Sequence, residues 1–122
     1  LAAGEIVTGV QIPWAEEQIS SAYFKVGRRK ALAISIASLA AQWKLQADKT
    51  IACMKLAWGS VGPTVVRLPQ VEAFLQGKPL NDEVLRRAGE LVKDGVTPLD
   101  DIRASAAYRR QLAGNLLLRL SN

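Results

Sequence analysis

Between Lys30 and Lys44 the chain carries no charged side chain, and just before that run four cations, Lys25, Arg28, Arg29 and Lys30, crowd around Gly27. An uncharged run of this length has to be covered by other elements, so it marks where the core must lie. Two local structures compete for it. Leu32, Ile34 and Ile36 alternate with Ala33, Ser35 and Ala37, which is the period of a strand. The alanine content suits a helix instead, with Leu32, Ile36, Leu39 and Trp43 along one face. The β-branched residues, and the lack of a good N-cap among Arg28, Arg29 and Lys30, favour a strand over residues 31–45. With apolar residues on both faces, such a strand is central and covered on at least one side. The basic knot at its mouth also has two readings. It is an anion site from which Lys25 and Arg28 reach a phosphate or an electron-rich ring, or it is a solvated basic turn, the reading that the abundance of surface charge clusters favours.

The flanks place strands first and helices after. Residues 5–12 alternate, with Ile6, Thr8, Val10 and Ile12 against Val7, Gly9 and Gln11, and Pro13 stops them, which predicts a strand. A second short strand is expected over 20–26, with Ala22 and Phe24 facing away from Tyr23 and Lys25. A third follows the loop 46–49 and runs over 50–58, with Met54, Leu56 and Trp58 on one side and Ile51, Cys53 and Lys55 on the other. Residues 64–68 form a last short extended piece. Cys53 reads as a small packing residue. The later half is helical: 69–76, ended by Gly77; a helix capped by Asn81 and ended by Gly95, burying Val84, Leu85, Ala88, Leu91 and Val92; and a last helix capped by Ser105. That last helix should bury Tyr108, Leu112, Leu116 and Leu120, leaving Arg109, Arg110 and Arg119 off the stripe. Layer logic makes this an α+β sandwich, an antiparallel sheet of three to four strands with three helices packed on one face.

The totals narrow the function. At 122 residues the chain is one compact domain, and its 49% apolar content can supply a core. The net charge of +5 suits an anionic ligand, nucleic acid or an acidic partner surface. A single cysteine excludes an internal disulfide and a cysteine-based zinc site, and fits a reducing compartment, hence a cytoplasmic expectation. Histidine is absent, which removes the commonest general base and metal ligand. No apolar run is long enough to cross a bilayer. Gly59-Ser60-Val61-Gly62-Pro63 lacks the Gly-Lys-Ser continuation of a phosphate-cradling loop. Opening on Leu1-Ala2-Ala3-Gly4, the chain reads as the continuation of something longer, a processed product or an excised domain.

Four pieces, in order, carry a resemblance. They are Glu5-Ile6-Val7-Thr8-Gly9-Val10-Gln11-Ile12-Pro13; residues 23–35; Trp58-Gly59-Ser60-Val61 leading to Val66-Arg67-Leu68 and Glu72-Ala73-Phe74-Leu75-Gln76-Gly77; and the run from Pro98 through Asp101, Arg103, Ser105 and Tyr108 to Arg109 and Arg110. Together they resemble the C-terminal domain of the FAD-binding subunit of molybdenum hydroxylases, the family of xanthine dehydrogenase, carbon monoxide dehydrogenase and nicotinate dehydrogenase. The final Asp-x-Arg-x-Ser-x-x-Tyr-Arg run is the most distinctive.

The resemblance implies a domain that follows two FAD-binding domains, absent from this chain, and closes over the flavin. It also implies a strand for 31–45. It puts the family's flavin-contacting lysine on Lys25, the apolar flavin contact of the first strand on Val7, and the arginine pair on Arg28 and Arg29. Many members have Asp-Ile after those arginines where this chain reads Leu32-Ala33, so a balancing carboxylate is missing. FAD is the implied cofactor, with the molybdenum cofactor and iron–sulfur clusters in partner subunits and NAD or another acceptor downstream. The domain is then part of an oxidoreductase and not catalytic alone, with no membrane partner and with homo-oligomerisation left open. Two rival readings are a small basic nucleic-acid-binding domain using Lys25, Arg28, Arg29 and Lys30, and a pure subunit-assembly module. The first is disfavoured because few aromatics interleave with the cations.

Overall fold

The computed structural model describes residues 1–12, 19–29 and 34–121. Three antiparallel strands, β1 (Ser20–Val26), β2 (Ala37–Leu45) and β3 (Ile51–Gly59), form one sheet in the order β1-β2-β3. The central strand is therefore the one drawn from the uncharged run, as expected, but it begins at Ala37; Ile34, Ser35 and Ile36 precede it without strand pairing. Residues 31–33, with the Leu32-Ala33 pair, and also Pro13, Trp14 and Lys30, lie outside the described residues.

Side-chain alternation decides the layers. Ala22, Phe24 and Val26 of β1, Ala37, Leu39 and Ala41 of β2, and Met54, Leu56 and Trp58 of β3 point to one side and join the core. Tyr23 and Lys25, then Ala40 and Gln42, then Lys55 line the other, open face. A register shift between Lys44 and Leu45 breaks the period at the β2–β3 turn. A bulge of this kind inserts one residue and flips the parity beyond it. Ile51, expected beside Cys53 and Lys55, is thereby turned into the core and fully buried. Cys53 is exposed, so it is not the packing residue that the sequence suggests.

The helices α1 (Pro69–Leu75), α2 (Asp82–Gly95) and α3 (Ala106–Asn115), with a 3-10 turn over Leu116–Leu120, cover the inner face. Their caps are the expected ones: Asn81 accepts from the Val84 amide at 3.0 Å and Ser105 from the Tyr108 amide at 3.2 Å. Gly77 takes φ +74° just beyond α1, a conformation that strains any residue with a side chain. In α2, Leu85, Ala88 and Val92 are buried, but Leu91 turns outward. Where α2 crosses α3, a Cβ on Gly114 would stand 2.6 Å from the Gly89 carbonyl oxygen, so the crossing is close because both positions lack side chains.

Two expected strands are not strands. Residues 64–68 contribute a single bridge, Val66 to Trp58, closed by two 2.9 Å hydrogen bonds. Residues 5–12 belong to no strand, and Ile6, Val10 and Ile12 are more than four-fifths exposed. The sheet has three strands because the apolar face of 5–12 has nothing here to pack on.

α3 rotates relative to its expected orientation. Tyr108, expected on the inner stripe, is half exposed, while Arg109, expected off it, is 4% exposed. Ala113, Leu116, Leu117 and Leu120 are buried, and Leu112 only partly. The stripe is drawn toward Trp58, whose indole Nε1 donates to the Ala113 carbonyl at 3.1 Å inside the core.

Candidate functional site

The end of β1 sets the site. Alternation along β1 puts Lys25 on the open face of the sheet, opposite Ser38 of β2, with Gly59 of β3 completing the row. Ser38 is nearly buried, and a Cβ on Gly59 would stand 2.6 Å from its hydroxyl. That row is therefore flat backbone with one long cation at its edge. The chain then bends through Gly27 and leaves Arg28 and Arg29 exposed beside it. Lys25, Val26, Gly27, Arg28 and Arg29 line one open depression of about 390 Å³. Three of the four residues assigned to the flavin are thus neighbours. The fourth, Val7, sits in the N-terminal segment, 65% exposed, and is not part of this depression.

Arg28 and Arg29 share a second hollow, of about 250 Å³, with Ile34, Ile36, Ile102 and Arg103. Ile36, one of its lining residues, is also held by a buried arginine. Arg109 donates to the Ile36 carbonyl at 2.7 Å and to the Ser60 carbonyl at 3.1 Å, and pairs with Asp101 at 2.6 Å. One side chain so ties the entry to β2, the exit from β3 and the loop before α3. Asp101 also accepts from the amides of Arg103 at 2.8 Å and Ala104 at 3.1 Å. The Arg103 amide, the Arg109 guanidinium and the Ala104 amide together hold its carboxyl at about 2, against an ordinary 3.8. Arg103 also pairs with Asp101, at a longer 3.7 Å. Arg109 was missed because an amphipathic reading places every arginine outside. The signal that would have found it is its place at the end of the distinctive run, eight residues after Asp101.

The open sheet face continues away from Lys25 as a shallow trough of about 550 Å³, floored by Ala40 and Ala57 and walled by Tyr23, Gln42, Lys55 and Arg67. At its β3 edge, burial works against ionisation of Glu72, but the Arg67 guanidinium at 2.7 Å and the Leu56 amide at 2.9 Å outweigh it and hold the carboxyl below the usual range. Among the described residues no three His, Cys, Asp or Glu side chains converge to hold a metal ion. No helix among them is long and apolar enough to cross a membrane. Among the described residues the surface offers cations, flat backbone and apolar patches, and no nucleophile paired with a base.

Known proteins are similar to this chain in sequence and in fold. The chain is 34% identical over 116 residues to the glyceraldehyde dehydrogenase medium chain of Sulfolobus acidocaldarius, covering 95% of this chain and 40% of that one. It is 34% identical over 100 residues to the xanthine dehydrogenase FAD-binding subunit of Escherichia coli, covering 82% and 34%. The chain therefore spans well under half of the length of these relatives. Its fold superposes with a TM-score of 0.81, at 26% identity, on 89% of this chain and 37% of a chain of the carbon monoxide dehydrogenase from Hydrogenophaga pseudoflava that lacks the Mo-pyranopterin moiety of its cofactor. The sequence pattern of the CO dehydrogenase flavoprotein C-terminal domain matches residues 22–122, from the third residue of β1 to two residues past the 3-10 turn. With that pattern running through every strand and helix described above, the chain belongs to the CO dehydrogenase flavoprotein C-terminal domain family.

Proposed function

We propose that this chain is the C-terminal domain of a FAD-binding subunit in a molybdenum hydroxylase-type dehydrogenase, and that the surface around Lys25 completes the flavin pocket. The observation that carries the reading is the gathering of Lys25, Arg28 and Arg29 at one open depression, in a chain whose family is that of a flavoprotein domain. These residues fit a part of such a cofactor. An open sheet edge bearing three cations suits the electron-rich edge of a ring. No helix among the described residues opens directly from a glycine-rich loop that would cradle a pyrophosphate. The rest of the cofactor then belongs to domains outside this chain.

Bound there, FAD supplies the redox chemistry. The domain's own part is electrostatic and positional. The Lys25 ammonium would offset the negative charge gained on reduction and lower its cost. Arg28 and Arg29 would strengthen the same field, and Arg109 holds Ile36, which lines the hollow they share. Val7 supplies an apolar contact. Partner subunits would carry the iron–sulfur clusters and the molybdenum cofactor, with NAD or another acceptor downstream.

The test compares this chain with its complete subunit. Titrating FAD against the 122-residue chain should leave the flavin fluorescence unchanged, while the complete subunit retains FAD through purification. Micromolar binding by the chain alone, or a complete subunit that purifies without flavin, would contradict the reading.

A further inference from the structure

We propose that the hollow shared by Arg28, Arg29 and Arg103 is a docking site for a separate partner polypeptide, which enters it with an acidic segment carrying one apolar side chain. The inference deepens the flavoprotein reading and rests on it, since it names what binds beside the flavin surface.

The hollow is a built feature of the fold. Its walls come from two stretches far apart in the sequence, one holding Ile34 and Ile36, the other Ile102 and Arg103. Arg109 holds both. It donates to the Ile36 carbonyl at 2.7 Å and pairs at 2.6 Å with Asp101, whose carboxylate accepts from the Arg103 amide at 2.8 Å. The walls are therefore set before anything binds, which spares a ligand part of the ordering cost.

Its side chains do not suit a merely solvated turn. Ile102 is 91% and Ile34 66% exposed, so folding leaves two branched side chains in water. A single exposed apolar residue is ordinary. Here two share one hollow with a third isoleucine and three arginines. Arginine around an apolar centre is the composition of surfaces where proteins meet.

Charge names the occupant. No carboxylate lines the hollow. Of the two nearby acids, Asp101 is engaged by Arg109, and Asp100 accepts from the Ala106 amide at 2.5 Å, at the start of α3. The complement is an anionic rim around an apolar knob. A neighbouring domain of the same chain arrives by its tether and gains little from long-range charge. A separate chain that finds the surface by diffusion gains both rate and orientation from it. Arg28 and Arg29 also line the depression beside Lys25, so a chain seated here lies next to the proposed flavin surface, the place for a protein that exchanges electrons with it. Contacts between redox partners are small, which a hollow of about 250 Å³ suits.

The test uses the complete subunit and the partner subunits of its enzyme. Ile102→Asp and Arg103→Gln alter exposed side chains, so the melting midpoint and FAD content of each variant subunit should match the wild type. Affinity for the partner subunits should fall at least about 10-fold in each. Arg103→Gln should also flatten the salt dependence of the association rate. Unchanged affinity in both variants would overturn the proposal. Amide exchange identifies the occupant. The Ile102 amide, which makes no hydrogen bond among the described residues, should slow at least about 10-fold only when the partner subunits are added. Slow exchange already in the complete subunit by itself would overturn the proposal, because the subunit's own remaining part would then fill the hollow. Partner-dependent slowing in a wild-type subunit that purifies without flavin would keep the docking site and remove the flavin reading.

Discussion

Arg109 ties the entry to β2, the exit from β3 and the loop before α3 together through three acceptors. Truncating it strands the buried Ile36 carbonyl, and a buried acceptor left unpaired costs about 1–3 kcal/mol. Arg109→Ala should therefore destabilise the domain by about 1–3 kcal/mol, and Arg110→Ala by about 0.5 kcal/mol or less, in denaturant melts. Asp101 adds a pH signature. Its carboxyl titrates at about 2 in the fold and at an ordinary 3.8 without it. A depressed carboxylate contributes stability that is complete above its ordinary value and fades as the pH falls toward the folded one. Asp101→Asn should thus lower the melting midpoint at neutral pH, and its deficit against the wild type should shrink between pH 4 and pH 2. The caps Asn81 and Ser105 were legible because their chemistry is local. The Arg109 clamp was not read, since two of its acceptors are backbone carbonyls, one of them 73 residues away, which any residue type supplies; only its place eight residues after Asp101 marked it.

Elements were legible where period and punctuation agreed. α2 runs from its Asn81 cap to Gly95 as expected, and β1 alternates as its residues predict. Three things bent the rest. A bulge turned Ile51 inward and Cys53 outward. The segment 5–12 has a strand's alternation without a local partner. In α3, four apolar residues at i, i+4 steps suggested a stripe, but the buried Trp58 hydrogen bond and the Arg109 clamp rotated the helix by about one position. Leu117, fully buried, should then be the costly leucine: Leu117→Ala about 2–5 kcal/mol, as for a core leucine. Leu112→Ala, at a partly buried site, should cost about half as much or less. Equal denaturation midpoints for the two variants would mean that the face is wrongly assigned.

On the scale of the whole molecule the domain is a covered sheet that keeps one face open. The covered face holds the core; the open face carries Lys25 at the end of a flat row and a trough with small residues on its floor. The family resemblance was legible across nearly the entire chain, and the family pattern and superposed fold agree with it. The residue roles at the open face came from that resemblance alone, because a lysine on a strand has no local signature that separates a cofactor contact from a solvated cation. Their test lies in the complete subunit. Lys25→Ala removes an exposed side chain and should cost the fold roughly 0.5 kcal/mol or less. Removing one cation from beside the reduced ring should lower the FAD reduction potential by on the order of 30 mV, with FAD content unchanged. A redox titration of the wild-type and Lys25→Ala subunits measures this directly: a lower potential in the variant is the result predicted here, and identical potentials with equal flavin content would contradict the assignment of Lys25 to the flavin.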